Sequence, residues 1–142
     1  MRFMIIVKAT ADSEAGVMPK PEAFEAMGRF NEQLIEAGVL LAGDGLHPSS
    51  EGARVTNYGG KLTVVDGPFA ETKELIAGYT VIEVGSYQEA LEWVKQWPPL
   101  DGNGNVQLEL RRFVSAEDFG EAFTPDLQAR EQALRDKGAD GV

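Results

Sequence analysis

The chain has 142 residues with no cysteine, and 13 Lys and Arg against 23 Asp and Glu give a formal charge of −10. That length allows one ordinary domain with a real hydrophobic core, and a composition of 43% hydrophobic and 25% charged residues is globular, not disordered. The negative excess argues against direct nucleic-acid binding and docking on anionic membranes, both of which need cationic contacts. The missing cysteine excludes disulfides, thiol nucleophiles and cysteine-held zinc or Fe–S groups.

Phe3 to Ala9 is a dense, β-branched apolar run that predicts a strand covered on both faces. It stops too soon for a signal-peptide core or a membrane span, so a cytoplasmic location is expected. Thr10 to Val17 is small and polar and predicts a loop. Pro21 opens a helix whose stripe is Phe24, Met27, Phe30, Leu34 and Ile35, closed by Gly38. Val39 to Ala42 predicts a second strand, leaving through the loop Gly43 to Pro48.

Arg54–Tyr58 and Lys61–Val65 flank Gly59-Gly60 as a β-hairpin. An irregular crossing from Asp66 to Glu74 leads to a strand over Ala77–Val84. Ser86 and Glu89 then form a capping-box signature for a helix with Ala90, Leu91, Val94 and Trp97 on one stripe, stopped by Pro98-Pro99. Val106, Leu108, Leu110 and Val114 alternate with polar residues as a last strand, and Arg112 falls on its apolar side. Thr124 and Pro125 start a terminal helix to about Lys137, poor in apolar residues and in need of docking.

Without the hairpin, this order is β-α-β-β-α-β, the ferredoxin-like pattern of an α+β fold. Two helices cover one face of such a sheet, while the first strand and Tyr79, Val81, Ile82 and Val84 are apolar on both. A second copy packed sheet to sheet completes the core, predicting a homodimer.

The run Asp66-Gly67-Pro68-Phe69-Ala70-Glu71-Thr72-Lys73-Glu74 resembles the signature of DGPF-domain proteins within the wider YCII-related (YciI-like) family. Ala37 to Leu46 and Gly78-Tyr79 support the resemblance, which covers roughly Met1 to Val114. It implies a ferredoxin-like domain over 1–114 that dimerises into an α/β barrel, with 115–142 as a linker and helix docking on the body or the partner. Some relatives carry a His–Asp pair for acid–base chemistry like that of muconolactone isomerases. Here Pro21-Glu22-Ala23-Phe24 has no histidine at that place, so the dyad is not transferred. Relatives are also often encoded beside, or fused to, sigma factors of the extracytoplasmic-function type, which makes a sigma factor a partner by family association.

The residue chemistry itself offers two readings of each candidate. Asp66-Gly67-Pro68 is first of all turn chemistry; as a site, Asp66 or Glu71 is the base, and Lys73 stabilises a developing enolate, with Phe69 and Thr72 beside them. His47, the single histidine, is the other acid–base candidate, set against an exposed loop side chain. Asp44, three residues before it, is a ligand contact. Arg112 either snorkels from the strand end or supplies the counter-charge for a carboxylate. No metal-ligand pattern closes, and no P-loop or dinucleotide fingerprint is present.

The expectation is therefore a dimeric, cofactor-free protein binding a small acidic or carbonyl-containing ligand, with lyase or isomerase chemistry. The alternative is a non-enzymatic regulatory or interaction module.

Overall fold

In the computed structural model, which describes residues 1–138, a four-stranded sheet is built from β1 (Arg2–Lys8), β2 (Leu40–Gly45), β5 (Ile76–Glu83) and β6 (Leu108–Arg112). The strand order is β2-β5-β1-β6 with every neighbour antiparallel. With the separate hairpin of β3 (Ala53–Tyr58) and β4 (Lys61–Asp66) set aside, that is the ferredoxin-like order of a β-α-β-β-α-β chain. The chain divides into two compact units, Met1–Arg112 and the remainder from Phe113.

Three helices belong to the first unit: α1 (Ala11–Glu14), α2 (Pro21–Glu36) and α3 (Tyr87–Lys95). The one-turn α1 interrupts the stretch expected as a loop. Its capping box pairs Thr10 with Ser13, whose backbone N–H and hydroxyl both reach back, so two polar residues supply the start signal without an apolar stripe. α2 buries Ala23, Phe30 and Leu34 with Met27 beside them, and leaves Phe24 and Ile35 59% and 62% exposed. The buried stripe thus keeps Met27, Phe30 and Leu34 of the expected one, with Ala23 in place of Phe24 and Ile35. Ser86 accepts from the Glu89 N–H at 3.1 Å, while the Glu89 carboxylate takes the N–H of Gly85, just outside the expected capping box.

Phe3, Ile5, Leu34 and Ile82 are fully enclosed between the sheet and α2 and α3. Phe30 stands edge-on to Trp97 with ring centres 5.4 Å apart, a packing worth a little beyond burial alone. Phe3, Ile5 and Val7 lie opposite Ile82, Thr80 and Gly78 on one side and Arg112, Leu110 and Leu108 on the other, which fixes them all on the helix-covered face. Met4, Ile6, Tyr79 and Val81 take the other face, where Val81 is 9% exposed and the rest are half-buried.

The hairpin has far more apolar surface in water. Val55, Leu62 and Val64 are each more than 60% exposed and share one face of it by register. Arg54, Thr56, Thr63 and Lys61 take the opposite face with Tyr58 and Val65.

In the second unit, α4 (Pro125–Asp136) is capped by Thr124, whose hydroxyl accepts from the Leu127 N–H at 3.3 Å. It buries no residue, and Leu127 and Leu134 are 44% and 43% exposed. Phe119 and Phe123 pack on each other with ring centres 5.4 Å apart.

Candidate functional site

The Asp66-Gly67-Pro68-Phe69 run sits where the hairpin rejoins the body, and its geometry is that of a clasp. Asp66 closes β4 opposite Ala53, and the Gly67 N–H donates to the Gly52 carbonyl at 3.0 Å. The Phe69 N–H donates to the Ser49 hydroxyl at 3.1 Å, and that hydroxyl donates to the Glu14 carboxylate. The same carboxylate accepts the Ser49 N–H at 2.8 Å. The Arg54 guanidinium lies 4.0 Å over the Phe69 ring, a cation–π contact. α1 thus carries Glu14 at the centre of a polar knot that joins it to the Ser49 and Phe69 loops.

Removing Glu14 deletes two charge-assisted hydrogen bonds, so Glu14→Ala is expected to cost about 2 kcal/mol. Urea denaturation measures it, and a loss under half a kcal/mol would show the knot to be incidental.

Two concavities border this region. A recess of about 290 Å³ lies under the knot, with Glu14, Ser49, Arg54, Phe69 and His47 among its walls. A larger cleft of about 750 Å³ opens between the helix-covered face of the sheet, α2, the 10–19 segment and the 101–106 turn. The larger one is of the size that takes small molecules.

Its floor is made by absent side chains. Gly43 lies opposite Thr80, and Gly45 opposite Gly78, on the face that elsewhere carries Phe3 and Ile5. Glycine at 43 and 45 leaves unfilled the space that core side chains occupy further along the same strands, whereas a Cβ at Gly78 would lie 2.9 Å from the Asp44 carbonyl oxygen, so the close approach of β2 fixes that glycine. Val7, Phe24, Met27, Leu40 and Trp97 give apolar walls. Thr80, 6% exposed, and half-buried Asn31 put a hydroxyl and an amide among them.

The expected site residues are dispersed. His47 stands at the lip shared by both concavities, 84% exposed at its side chain, with Nδ1 3.0 Å from the Glu51 carboxylate. Phe69 lines the small recess. Asp44 borders the large cleft, but its register opposite Tyr79 sets its side chain on the other face of the sheet from Thr80. Asp66, Glu71 and Lys73 are exposed, Thr72 is half-buried in a short 3-10 turn, and none of these four lines either concavity. Arg112 is exposed on the edge strand beside Phe3 and lines neither.

Among the described residues no group of three His, Cys, Asp or Glu side chains could hold a metal, and no helix is long and apolar enough to cross a membrane. Sequence reasoning missed Thr80, Asn31, the floor glycines Gly43 and Gly45, Glu14 and Glu51. The one available signal was Gly43-Asp44-Gly45, glycines at the period of a strand.

The pattern of the YCII-related domain matches residues 1–113. The chain belongs to that family. A curated relative, the uncharacterized protein R00369 of Rhizobium meliloti (strain 1021), is 39% identical over 69 residues, 49% of this chain and 56% of the relative. The chain thus spans about half the length of the curated relative it matches. Among solved structures, the 5-chloro-2-hydroxyhydroquinone dehydrochlorinase TftG of Burkholderia phenoliruptrix AC1100, determined with 2,5-dihydroxybenzoquinone, aligns over 83% of this chain and 98% of its own. Its identity is 16% and its TM-score 0.44. The ferredoxin-like assignment of this YCII-related chain stands on its own strand order.

Proposed function

We propose that this YCII-related protein is a homodimer that binds a small molecule in the glycine-floored cleft. The observation that carries the reading is the floor itself. A strand glycine weakens its sheet, so keeping Gly43 and Gly45 where side chains would fill a core sacrifices stability for space.

Gly45 offers the clean test, since a Cβ there meets only the Ala77 carbonyl oxygen, at 3.9 Å. Gly45→Val is expected to abolish ligand binding while raising the melting temperature by roughly 2–5 °C, the equivalent of about 1 kcal/mol. A thermal-shift screen of small carbonyl and hydroxyl compounds against both proteins reads each effect. Equal ligand shifts in the two proteins would place the site elsewhere.

The chemistry we assign to the cleft is cofactor-free proton transfer beside a carbonyl, as in a lyase or isomerase. Glu51 holds His47 through Nδ1, leaving Nε2 to take a proton from one carbon of the ligand and return it at another position or to a leaving group. His47→Ala should then stop solvent deuterium exchange into the ligand without changing its dissociation constant; retained exchange removes His47 from the reaction.

We place the dimer seam on the hairpin, not on the sheet face expected from the sequence. An isolated two-stranded ribbon is marginal in water, and this one presents Val55, Leu62 and Val64 together on one exposed face. That apolar face also supports a second reading, a regulatory module that meets another protein there, such as a sigma factor. A monomer by light scattering at micromolar concentration would favour this second reading over the first.

A further inference from the structure

The cleft's own charges say which small molecules it accepts. Two carboxylates border it, Asp12 and Asp101, against the single ammonium of Lys8, while the Asp44 side chain lies on the other face of the sheet. Both carboxylates are held by neutral donors. The Trp97 indole N–H donates to Asp101 at 2.8 Å, and the Asn103 amide donates to Asp12 at 3.4 Å. Such bonds fix the carboxylates in place without cancelling their charge.

The cations that favoured an acidic ligand at the level of sequence, Lys73 and Arg112, line neither concavity. Inside the cleft the polar groups are neutral, the Thr80 hydroxyl and the Asn31 amide, among aromatic, methionine and aliphatic walls. A hydroxyl and an amide both donate and accept, so they match a carbonyl or hydroxyl with no formal charge.

We infer that the cleft selects against anions: its occupant is an uncharged or amine-bearing ring-sized molecule that presents a carbonyl or hydroxyl to Thr80 and Asn31. The inference rests on the proposed role of the cleft as a ligand site and goes further by fixing the charge class. A bound carboxylate would enter a low-dielectric space rimmed by like charges and gain no cationic partner among the walls other than Lys8. An amine meets the opposite field among walls that include the aromatic Phe24 and Trp97.

Three probes that share one indole ring and differ in charge separate the possibilities: indole-3-acetamide, tryptamine and indole-3-acetate. Each is titrated into the full chain and followed by the backbone amide resonances of Gly43, Gly78 and Thr80. The acetamide and the amine are expected to shift those amides, with the acetate at least about tenfold weaker. Raising the salt should narrow the gap between amine and acid, because the rim is open to screening. In Asp12→Asn/Asp101→Asn, which keeps an acceptor for Trp97, the acetate should gain about tenfold relative to the amine while the acetamide stays unchanged.

Acetate binding as tightly as acetamide in the unmodified protein overturns the inference and leaves the cleft a ligand site. Failure of all three probes to shift these amides at millimolar concentration overturns the ligand site and the inference together.

Discussion

Replacing Gly67 by alanine is expected to strip about a hundredfold of hydrogen-exchange protection from the hairpin amides of 53–66, while β1 and β5 keep theirs. A Cβ at Gly67 would sit 1.7 Å from the Ser49 carbonyl oxygen and 2.6 Å from its carbon. Both are backbone atoms, so no rotamer change relieves the overlap and one of the two loops must move. Movement of either strains or breaks the Gly67–Gly52 and Phe69–Ser49 bonds, and with them the seat of the Arg54 guanidinium on Phe69. Each bond is worth about 1 kcal/mol net, which together with the displaced backbone gives the hundredfold. The effect stays local because the core of Phe3, Ile5, Phe30, Leu34 and Ile82 includes nothing from the hairpin. Gly28→Ala is the matched control: its Cβ meets nothing within 4 Å in the middle of α2, so it should stabilise by about 1 kcal/mol. Undiminished hairpin protection in Gly67→Ala would mean the two loops are not held against each other.

This prediction changes what the signature means. Gly67 is fixed by a backbone approach, Phe69 by a cation–π contact and a hydrogen bond, and Asp66 by its place at the end of β4. The Asp66-Gly67-Pro68-Phe69 run is therefore the joint that aims the hairpin. The cleft, built from residues outside the motif, is where ligand chemistry is proposed.

The same division explains what the sequence made legible. Strand and helix order follows from apolar periodicity, which depends on neighbours a few residues apart, and that order was enough to imply the ferredoxin-like sheet. α1 was hidden because four residues with a Thr10–Ser13 box carry no apolar stripe. β2 was cut short because Gly43-Asp44-Gly45 has the composition of a loop, and only pairing with β5 makes it a strand. The Glu14–Ser49 pair spans 35 residues and leaves no local trace. The cleft was least visible of all, since a cavity is a missing volume and pattern reading looks for side chains. Glu71, Lys73 and Arg112 have the charge of site residues in the sequence; folded, they face water.

The hairpin's exposed face carries the other large effect: Val64→Asp is expected to weaken self-association about a hundredfold or more and leave a folded monomer. Val64 lies directly opposite Val55, with Leu62 on the same face, and Val55 and Val64 are 64% and 62% exposed in the single chain. In a two-fold seam every substitution occurs twice. Each valine that is buried contributes about 1.5–3 kcal/mol, and a carboxylate in its place must shed its hydration without a partner. In the monomer the same change touches only water-facing surface, so the fold should hold. Val64→Thr preserves the β-branched shape and should cost far less than the aspartate. Val65→Asp is the sharper control. Its side chain belongs to the opposite face, with Arg54 and Lys61, where a carboxylate finds cations and the dimer should persist. Sedimentation equilibrium of the three variants reads the outcome directly: if Val64→Asp and Val65→Asp associate equally, the Val55–Leu62–Val64 face is not the seam.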